Sequence, residues 1–160
     1  MREVPWSANG WVVKTFRALF LAAACGALSL ASAGAEAAWQ TDFPKAQEEA
    51  RTNHKLLLLN FTGSDWCGWC KRLEAEVFSK PEFADYAKQH LVLVTVDFPR
   101  AKPLSDEIRR QNRALAEKYG IQGFPTIVVL NGDGKPVGAL GYQTGGPGAF
   151  IEELKKLPQG

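Results

Sequence analysis

Residues 61–71 read Phe-Thr-Gly-Ser-Asp-Trp-Cys-Gly-Trp-Cys-Lys, and this stretch decides the fold. An apolar run precedes it and a helical pattern follows it, so Cys67 and Cys70 lie at a predicted strand-to-helix junction. Two cysteines three residues apart share one face of a helical turn and can close a small disulfide ring. Unpaired backbone N–H groups and the helix dipole would favour the thiolate of Cys67, in the first turn. The pattern therefore predicts a redox site in which Cys67 is the nucleophile and the more buried Cys70 resolves the intermediate.

Two other interpretations of the cysteine pair compete with redox chemistry. A closed zinc site needs four ligands, and the chain offers only Cys25, His54 and His90 besides the pair, none at the usual second-pair spacing. A structural disulfide in so small a ring would remove little entropy from the unfolded chain. Disulfide exchange is favoured over both, and neither a metal nor a cofactor is expected.

The first 37 residues have the pattern of an export signal. A basic region precedes an apolar region at 18–30, which is short for a membrane span. Small residues follow, and they predict signal-peptidase cleavage between about Ala33 and Ala38. The prediction is thus a signal peptide at 1–37 and one domain at 38–160, with an exported, periplasmic or extracytoplasmic, mature protein. A retained N-terminal anchor is the alternative.

Export changes the meaning of the cysteine count. Cys25 lies within the apolar region, so a processed chain would keep two cysteines, both in the motif. An exported protein with one close pair and no other cysteine is typical of disulfide exchange. The formal charge is +2, and three cations against Glu3 and Glu36 place +1 of it in the first 37 residues. The remainder is near neutral, which indicates no nucleic-acid and no anionic-membrane partner.

The rest of the chain alternates between apolar runs and helical patterns. The continuous apolar run at 55–61 predicts a central strand covered on both faces, and 91–96 predicts a second one. Asn-Gly and Asp-Gly at 131–134 predict a hairpin turn between strands at 126–130 and 136–140. The predicted helices are 43–53, with Asp42 available as its cap, the cysteine helix to about Val77, one starting near Pro81, one from Ser105 to Gly120, and 150–157. This order predicts an α/β fold whose mixed sheet has helices on both faces.

A second motif, Gly123-Phe124-Pro125-Thr126, leads directly into the hairpin. Together with residues 66–71, 119–122 and 131–132, it resembles the thioredoxin superfamily over roughly residues 39–157. The resemblance implies a thioredoxin fold and protein disulfide or dithiol substrates. It also implies that Pro125 is cis and lies against the disulfide, which leaves the backbone at Phe124 free to pair with a substrate strand. An ordinary edge-strand proline is the alternative.

Residues around the cysteines are expected to contact the substrate, Trp66 by the same resemblance, and Gly68 and Trp69 by their position between the cysteines. Trp66 is expected to pack beside the motif and shape the substrate groove. Trp69 and Gly68, between the cysteines, are expected to be exposed and to contact the substrate.

Residues 70–81 are similar to the C-terminal thioredoxin-like domain of the bacterial transmembrane reductase DsbD. That similarity implies an acid at Glu74, which stands four residues after Cys70 and would help to deprotonate it. A solvated surface glutamate is the alternative. Asn60 occupies the place of the buried aspartate of thioredoxins and cannot take a proton. Residues 99–112 form an insertion that would either recognise a partner or cap the sheet.

The sequence thus predicts an exported thiol:disulfide oxidoreductase, with reduction of protein disulfides favoured. Gly68 and Trp69 include no histidine of the kind found between the cysteines of strongly oxidising relatives. A reductase outside the cytosol needs an electron donor, and a membrane reductase is the expected one. The alternatives are a thioredoxin-like module that binds clients as a chaperone with little turnover, and an oxidase or isomerase.

Overall fold

Strand β2 is the centre of the fold in the computed structural model, which describes residues 37–158. All of its residues are buried, as the continuous apolar run predicts. It pairs in parallel with β3 and antiparallel with β4, so the sheet is mixed. The sheet order is β1-β3-β2-β4-β5, and the strands are β1 (Trp39–Gln40), β2 (Leu56–Thr62), β3 (Leu91–Asp97), β4 (Thr126–Leu130) and β5 (Pro136–Leu140).

Helices cover both faces of this sheet. Because side chains alternate along a strand, Leu56 and Leu58 of β2 face one layer, whereas Leu57, Leu59 and Phe61 face the other. The helical elements are α1 (Phe43–Thr52), α2 (Gly68–Leu73), a π-helical segment (Glu74–Phe78), α3 (Pro81–His90), α4 (Asp106–Lys118) and α5 (Gly146–Lys155). Helices α2, α3 and α5 and the π-helical segment cover the first face, and α1 and α4 cover the second. The predicted α/β fold with a mixed sheet is therefore confirmed.

Local sequence signals act as expected at the start of α1 and in the hairpin turn between β4 and β5. Asp42 caps α1, because its Oδ1 accepts a hydrogen bond from the Lys45 N–H at 3.0 Å. In the hairpin turn, Asn131 Oδ1 accepts from the N–H groups of Asp133 at 3.1 Å and Lys135 at 2.9 Å. The turn is thereby closed by a side chain as well as by backbone hydrogen bonds.

Two predicted helices differ from the structure. The helix after the cysteines ends as an α-helix at Leu73 and continues as the π-helical segment Glu74–Phe78, for which the sequence pattern gave no signal. The last helix begins at Gly146 instead of Phe150. Gly145 and Gly146 have positive φ values of 108° and 67°, which turn the chain into the helix earlier than the apolar pattern suggests.

The predicted export signal lies outside the described residues. Within residues 37–158, no helix combines the length and the apolar character needed to cross a membrane.

Candidate redox site

The two motif cysteines form a disulfide at the start of α2. Their Cα atoms are 5.3 Å apart, and Cys67 is the N-cap residue of the helix. Its Sγ accepts a hydrogen bond from the Cys70 N–H at 3.2 Å, as a cap side chain does. The two residues differ little in burial, with 7% of Cys67 and 5% of Cys70 exposed. The two cysteines therefore differ mainly in their position on the helix, and the predicted greater burial of Cys70 is slight.

Cys70 shares the lining of a cavity of about 390 Å³ with Asn60 and Glu74. The Glu74 N–H donates to the Cys70 carbonyl, so α-helical spacing holds up to this residue and places it one turn beyond the cysteine. Glu74 is exposed, whereas Asn60 lies on the buried strand β2. The Asn60 Oδ1 atom is buried and has no hydrogen-bond partner among the described residues. The cavity thus brings the predicted acid and the predicted aspartate position to the same cysteine.

Trp66, the residue before Cys67, is held in place by residues from two distant loops. Its indole N–H donates to the Phe98 carbonyl at 2.8 Å, and its ring meets Phe124 edge-on with centroids 5.9 Å apart. Phe98 in turn stacks on Phe124 at 5.2 Å. The Arg100 guanidinium lies 4.1 Å from the centre of the Trp66 ring, within cation–π range. The indole remains 37% exposed, so it is fixed in place yet accessible.

Residues 98–104, here called the 98–104 loop, lie beside Trp66. Asp65 attaches this loop to the motif. The Asp65 carboxylate accepts hydrogen bonds from the backbone N–H groups of Ala101 at 2.7 Å, Arg100 at 3.0 Å and Lys102 at 3.3 Å. These bonds, that from Ala101 first, hold the pKa of Asp65 below its ordinary value because they stabilise the ionised form. The loop therefore stays beside the redox motif while this carboxylate is charged.

Trp69 stands on the other side of the disulfide and is 56% exposed. Its ring lies 5.1 Å from that of Tyr142, and the Arg72 guanidinium lies within 6 Å of both ring centres. Arg72 Nε and the Tyr142 hydroxyl both donate to the Glu76 carboxylate, each at 2.7 Å. The hydrogen bond from Arg72 and then that from Tyr142 hold the pKa of Glu76 below its usual range. A polar network thus supports an exposed aromatic surface.

The loop before β4 carries the remaining predicted residues. The Phe124–Pro125 peptide bond is cis, as the resemblance implied. The Thr126 hydroxyl closes the loop by donating to the Gly123 carbonyl at 2.8 Å. Contact between Phe124 and Trp66 brings this loop to the motif. Gly68 is exposed, and a Cβ added there would meet no atom within 4 Å, so the backbone after Cys67 is open to an approaching chain.

Sequence reasoning missed the residues that support both tryptophans. Asp65, Phe98 and Arg100 act together although more than thirty positions separate the first from the others. Arg72 and Tyr142 are likewise distant in the chain. The predicted insertion at 99–112 was the one sequence signal that pointed towards any of these contacts.

The fold and the disulfide define a thioredoxin-like protein, and the chain belongs to the thioredoxin-like domain family, whose model matches residues 43–157. It is 35% identical to the disulfide bond reductase DsbH of Chlamydia pneumoniae over 77% of this chain and 74% of that protein. The solved structure of a DsbH oxidoreductase matches with a TM-score of 0.74 at 31% identity, over 92% of each chain.

The reduced C-terminal domain of DsbD from Neisseria meningitidis matches with a TM-score of 0.55 at 25% identity, over 72% of this chain and 93% of that one. A Cys-x-x-Cys disulfide at the start of a helix, in this family, makes the chain a thiol:disulfide oxidoreductase.

Proposed function

We propose that this protein reduces disulfide bonds in exported proteins. The observation that carries the proposal is the Cys67–Cys70 pair at the start of α2, in a chain similar to the disulfide bond reductase DsbH. Whether such a protein reduces or forms disulfides depends on how strongly its reduced cysteine pair is stabilised as a thiolate. A very stable thiolate makes the disulfide form an oxidant. Neither Gly68 nor Trp69 adds a positive charge between the cysteines. The chemistry of the motif therefore favours a reductase.

Cys67 is proposed to be the nucleophile. In the reduced protein, the N–H of Cys70 and the start of α2 would stabilise the Cys67 thiolate as they contact its sulfur in the disulfide. The thiolate attacks one sulfur of a substrate disulfide, a new S–S bond forms, and the other substrate sulfur leaves as a thiolate that takes up a proton. The product of this step is a mixed disulfide between Cys67 and the substrate.

Cys70 is proposed to resolve that intermediate. Its thiolate attacks the Cys67 sulfur, so the Cys67–Cys70 bond forms and the second substrate thiolate leaves. The substrate gains two electrons, and the motif loses them. We propose that Glu74 takes the proton from the Cys70 thiol, because both line one cavity and Glu74 lies one helical turn away. Asn60 has no titratable group and cannot replace it.

The substrate chain is proposed to lie between the two tryptophans. Trp66 and Trp69 are both exposed large apolar side chains, and each is held by neighbours on one side. Gly68 leaves room between them. An extended substrate segment would add main-chain hydrogen bonds to the backbone of Phe124 beside the cis Pro125, a form of strand addition.

Export and an external electron donor complete the proposal. The N-terminal basic and apolar pattern favours export with cleavage between about Ala33 and Ala38 and a mature domain from about residue 38. Outside the cytosol, the disulfide formed at each turnover must be reduced by another dithiol. Similarity to the C-terminal domain of DsbD supports a membrane reductase as that donor.

The decisive experiment combines a redox titration with insulin reduction by the protein and its two single-cysteine variants. We expect a potential in the range of reductases, and a value near about −120 mV, typical of strong oxidants, would refute the proposed direction. Cys67→Ser should abolish insulin reduction. Cys70→Ala should accumulate mixed disulfides with substrates, whereas Cys67→Ser should trap none. Reduction of insulin by Cys67→Ser would contradict the assignment of the nucleophile.

Glu74 is tested by the matched pair Glu74→Gln and Glu82→Gln. Glu82 lies in the first turn of α3 and does not line the cavity beside Cys70. Glu74→Gln should slow release of the second substrate thiol and change the pH profile of that step, because its proton acceptor is lost. An unchanged pH profile for Glu74→Gln would mean that Glu74 is a solvated surface residue.

A further inference from the structure

The 98–104 loop presents a cation, Arg100, beside the redox motif. Arg100 lies over Trp66, the residue immediately before Cys67, and both Arg100 and Lys102 are exposed. Within residues 37–158, neither cation forms an ion pair. The carboxylate that touches the loop, Asp65, accepts hydrogen bonds from its backbone N–H groups instead. The Arg100 charge is therefore available to a molecule that approaches the disulfide.

The loop holds Arg100 in a defined place. Three backbone hydrogen bonds to Asp65 attach it to the redox motif, and the Phe98 carbonyl accepts from the Trp66 indole. Phe98 also stacks on Phe124, so the loop contacts two residues of the proposed substrate groove, Trp66 and Phe124. A cation that is already positioned loses less entropy when a partner binds than one on a mobile segment.

The carboxylates of this region are already engaged. Asp97 accepts from the Ser64 hydroxyl at 2.6 Å, and Asp106 pairs with Arg109 at 3.1 Å. A cavity of about 390 Å³ lies behind the loop, and its lining includes the cations Lys102, Arg109 and Arg113. Lys71 adds a further positive charge beside Asp65, to whose carbonyl it donates at 2.8 Å. In and around the 98–104 loop the cations thus outnumber the carboxylates, although the whole chain carries only +2.

We propose that Arg100 determines substrate specificity by selecting protein disulfides whose cysteines are flanked by aspartate or glutamate. The inference rests on the proposed function, because it concerns the substrate that reaches Cys67. A carboxylate beside the substrate cysteine would meet the Arg100 guanidinium at the rim of the groove. Such rim charges act mainly on the encounter of the two molecules, and their effect weakens as salt is added.

The experiment compares two peptide disulfides that differ only in the residues next to each cysteine, glutamate in one and glutamine in the other. The rate constant for their reaction with the reduced full-length protein is measured for the wild type, Arg100→Gln, Arg100→Lys and Lys45→Gln. Lys45 is an exposed lysine on α1 and serves as the matched loss of one positive charge. The quantity compared among the variants is the rate constant for the glutamate peptide divided by the rate constant for the glutamine peptide.

The wild type should prefer the acidic peptide about fivefold at low salt, the upper range for one exposed charge pair. Arg100→Gln should bring the ratio close to one, whereas Arg100→Lys and Lys45→Gln should keep most of it. About 0.5 M NaCl should remove the preference, because the Debye length falls to about 4 Å. A ratio near one in the wild type, with reaction of the neutral peptide, would overturn the specificity and leave the proposed function intact. No reaction with either peptide would overturn both.

Discussion

Replacing Asn60 with aspartate tests whether the space beside Cys70 is a low-dielectric site. Asn60 lies on β2 between Thr95 and Ile127 and is 7% exposed, and its Oδ1 atom has no hydrogen-bond partner within residues 37–158. Asn60→Asp therefore places a carboxyl group where its ionised form would lose hydration and gain no donor. Glu74, on the lining of the same cavity, adds a negative charge nearby. Both effects raise the pKa of the new carboxyl group.

The magnitude follows from proton linkage. An unfolded aspartate titrates near about 3.9, and burial of this kind can raise the folded pKa by about 3 units. Above the unfolded pKa the folded variant binds more protons than the unfolded one, so its stability falls as pH rises, until the pH passes the folded pKa. At 1.36 kcal/mol per unit, a shift of about 3 units removes about 4 kcal/mol between about pH 4 and pH 7. That is a large part of the stability of a typical domain.

Urea unfolding of the oxidised protein between about pH 4 and pH 8 is the assay. The disulfide form is used because its cysteines do not titrate. Asn60→Leu is the matched control, since it removes the Oδ1 acceptor without adding an acid, and its stability relative to the wild type should not change with pH. If Asn60→Asp followed the pH dependence of the wild type, the position would be hydrated and the assignment of a buried acceptor without a partner would be wrong.

Three further outcomes follow from other parts of the structure. Because the lowered pKa of Asp65 comes from the loop N–H groups, the amide resonances of residues 100–102 should titrate together below pH 3.8 in an NMR experiment, and not in Asp65→Asn. The loop contact thus persists at neutral pH and is lost as the pH falls through the lowered pKa. Leu58→Ala should cost about 2–5 kcal/mol in urea unfolding because Leu58 is fully buried, whereas Leu58→Met should cost less than about 1.5 kcal/mol. Tyr142→Phe should raise the pKa of Glu76, measured by carbon-13 NMR, yet leave it below normal because its arginine partner remains. An unchanged Glu76 titration would contradict the hydrogen bond.

The fold was largely predictable because its signals are local. The apolar run at 55–61, the Asp42 cap and the Asn131 turn each depend on neighbouring residues, and each is found as expected. The π-helical segment Glu74–Phe78 was not predictable, because a change from α- to π-helical hydrogen bonding leaves no pattern in the apolar spacing. The start of α5 at Gly146 was missed for a related reason, since its first residues, Gly146, Pro147 and Gly148, add nothing to the apolar spacing that begins at Phe150.

The sequence by itself determined the redox motif. Cys67 and Cys70 lie three residues apart at a strand-to-helix junction, so helix geometry alone brings their sulfur atoms together. Only the tertiary structure decided what surrounds them. Trp66 meets Phe98, Arg100 and Phe124 because β3 and β4 flank β2 in the sheet and deliver their adjoining loops to the end of the strand that carries the motif. Such contacts depend on strand order, and no spacing along the chain encodes them.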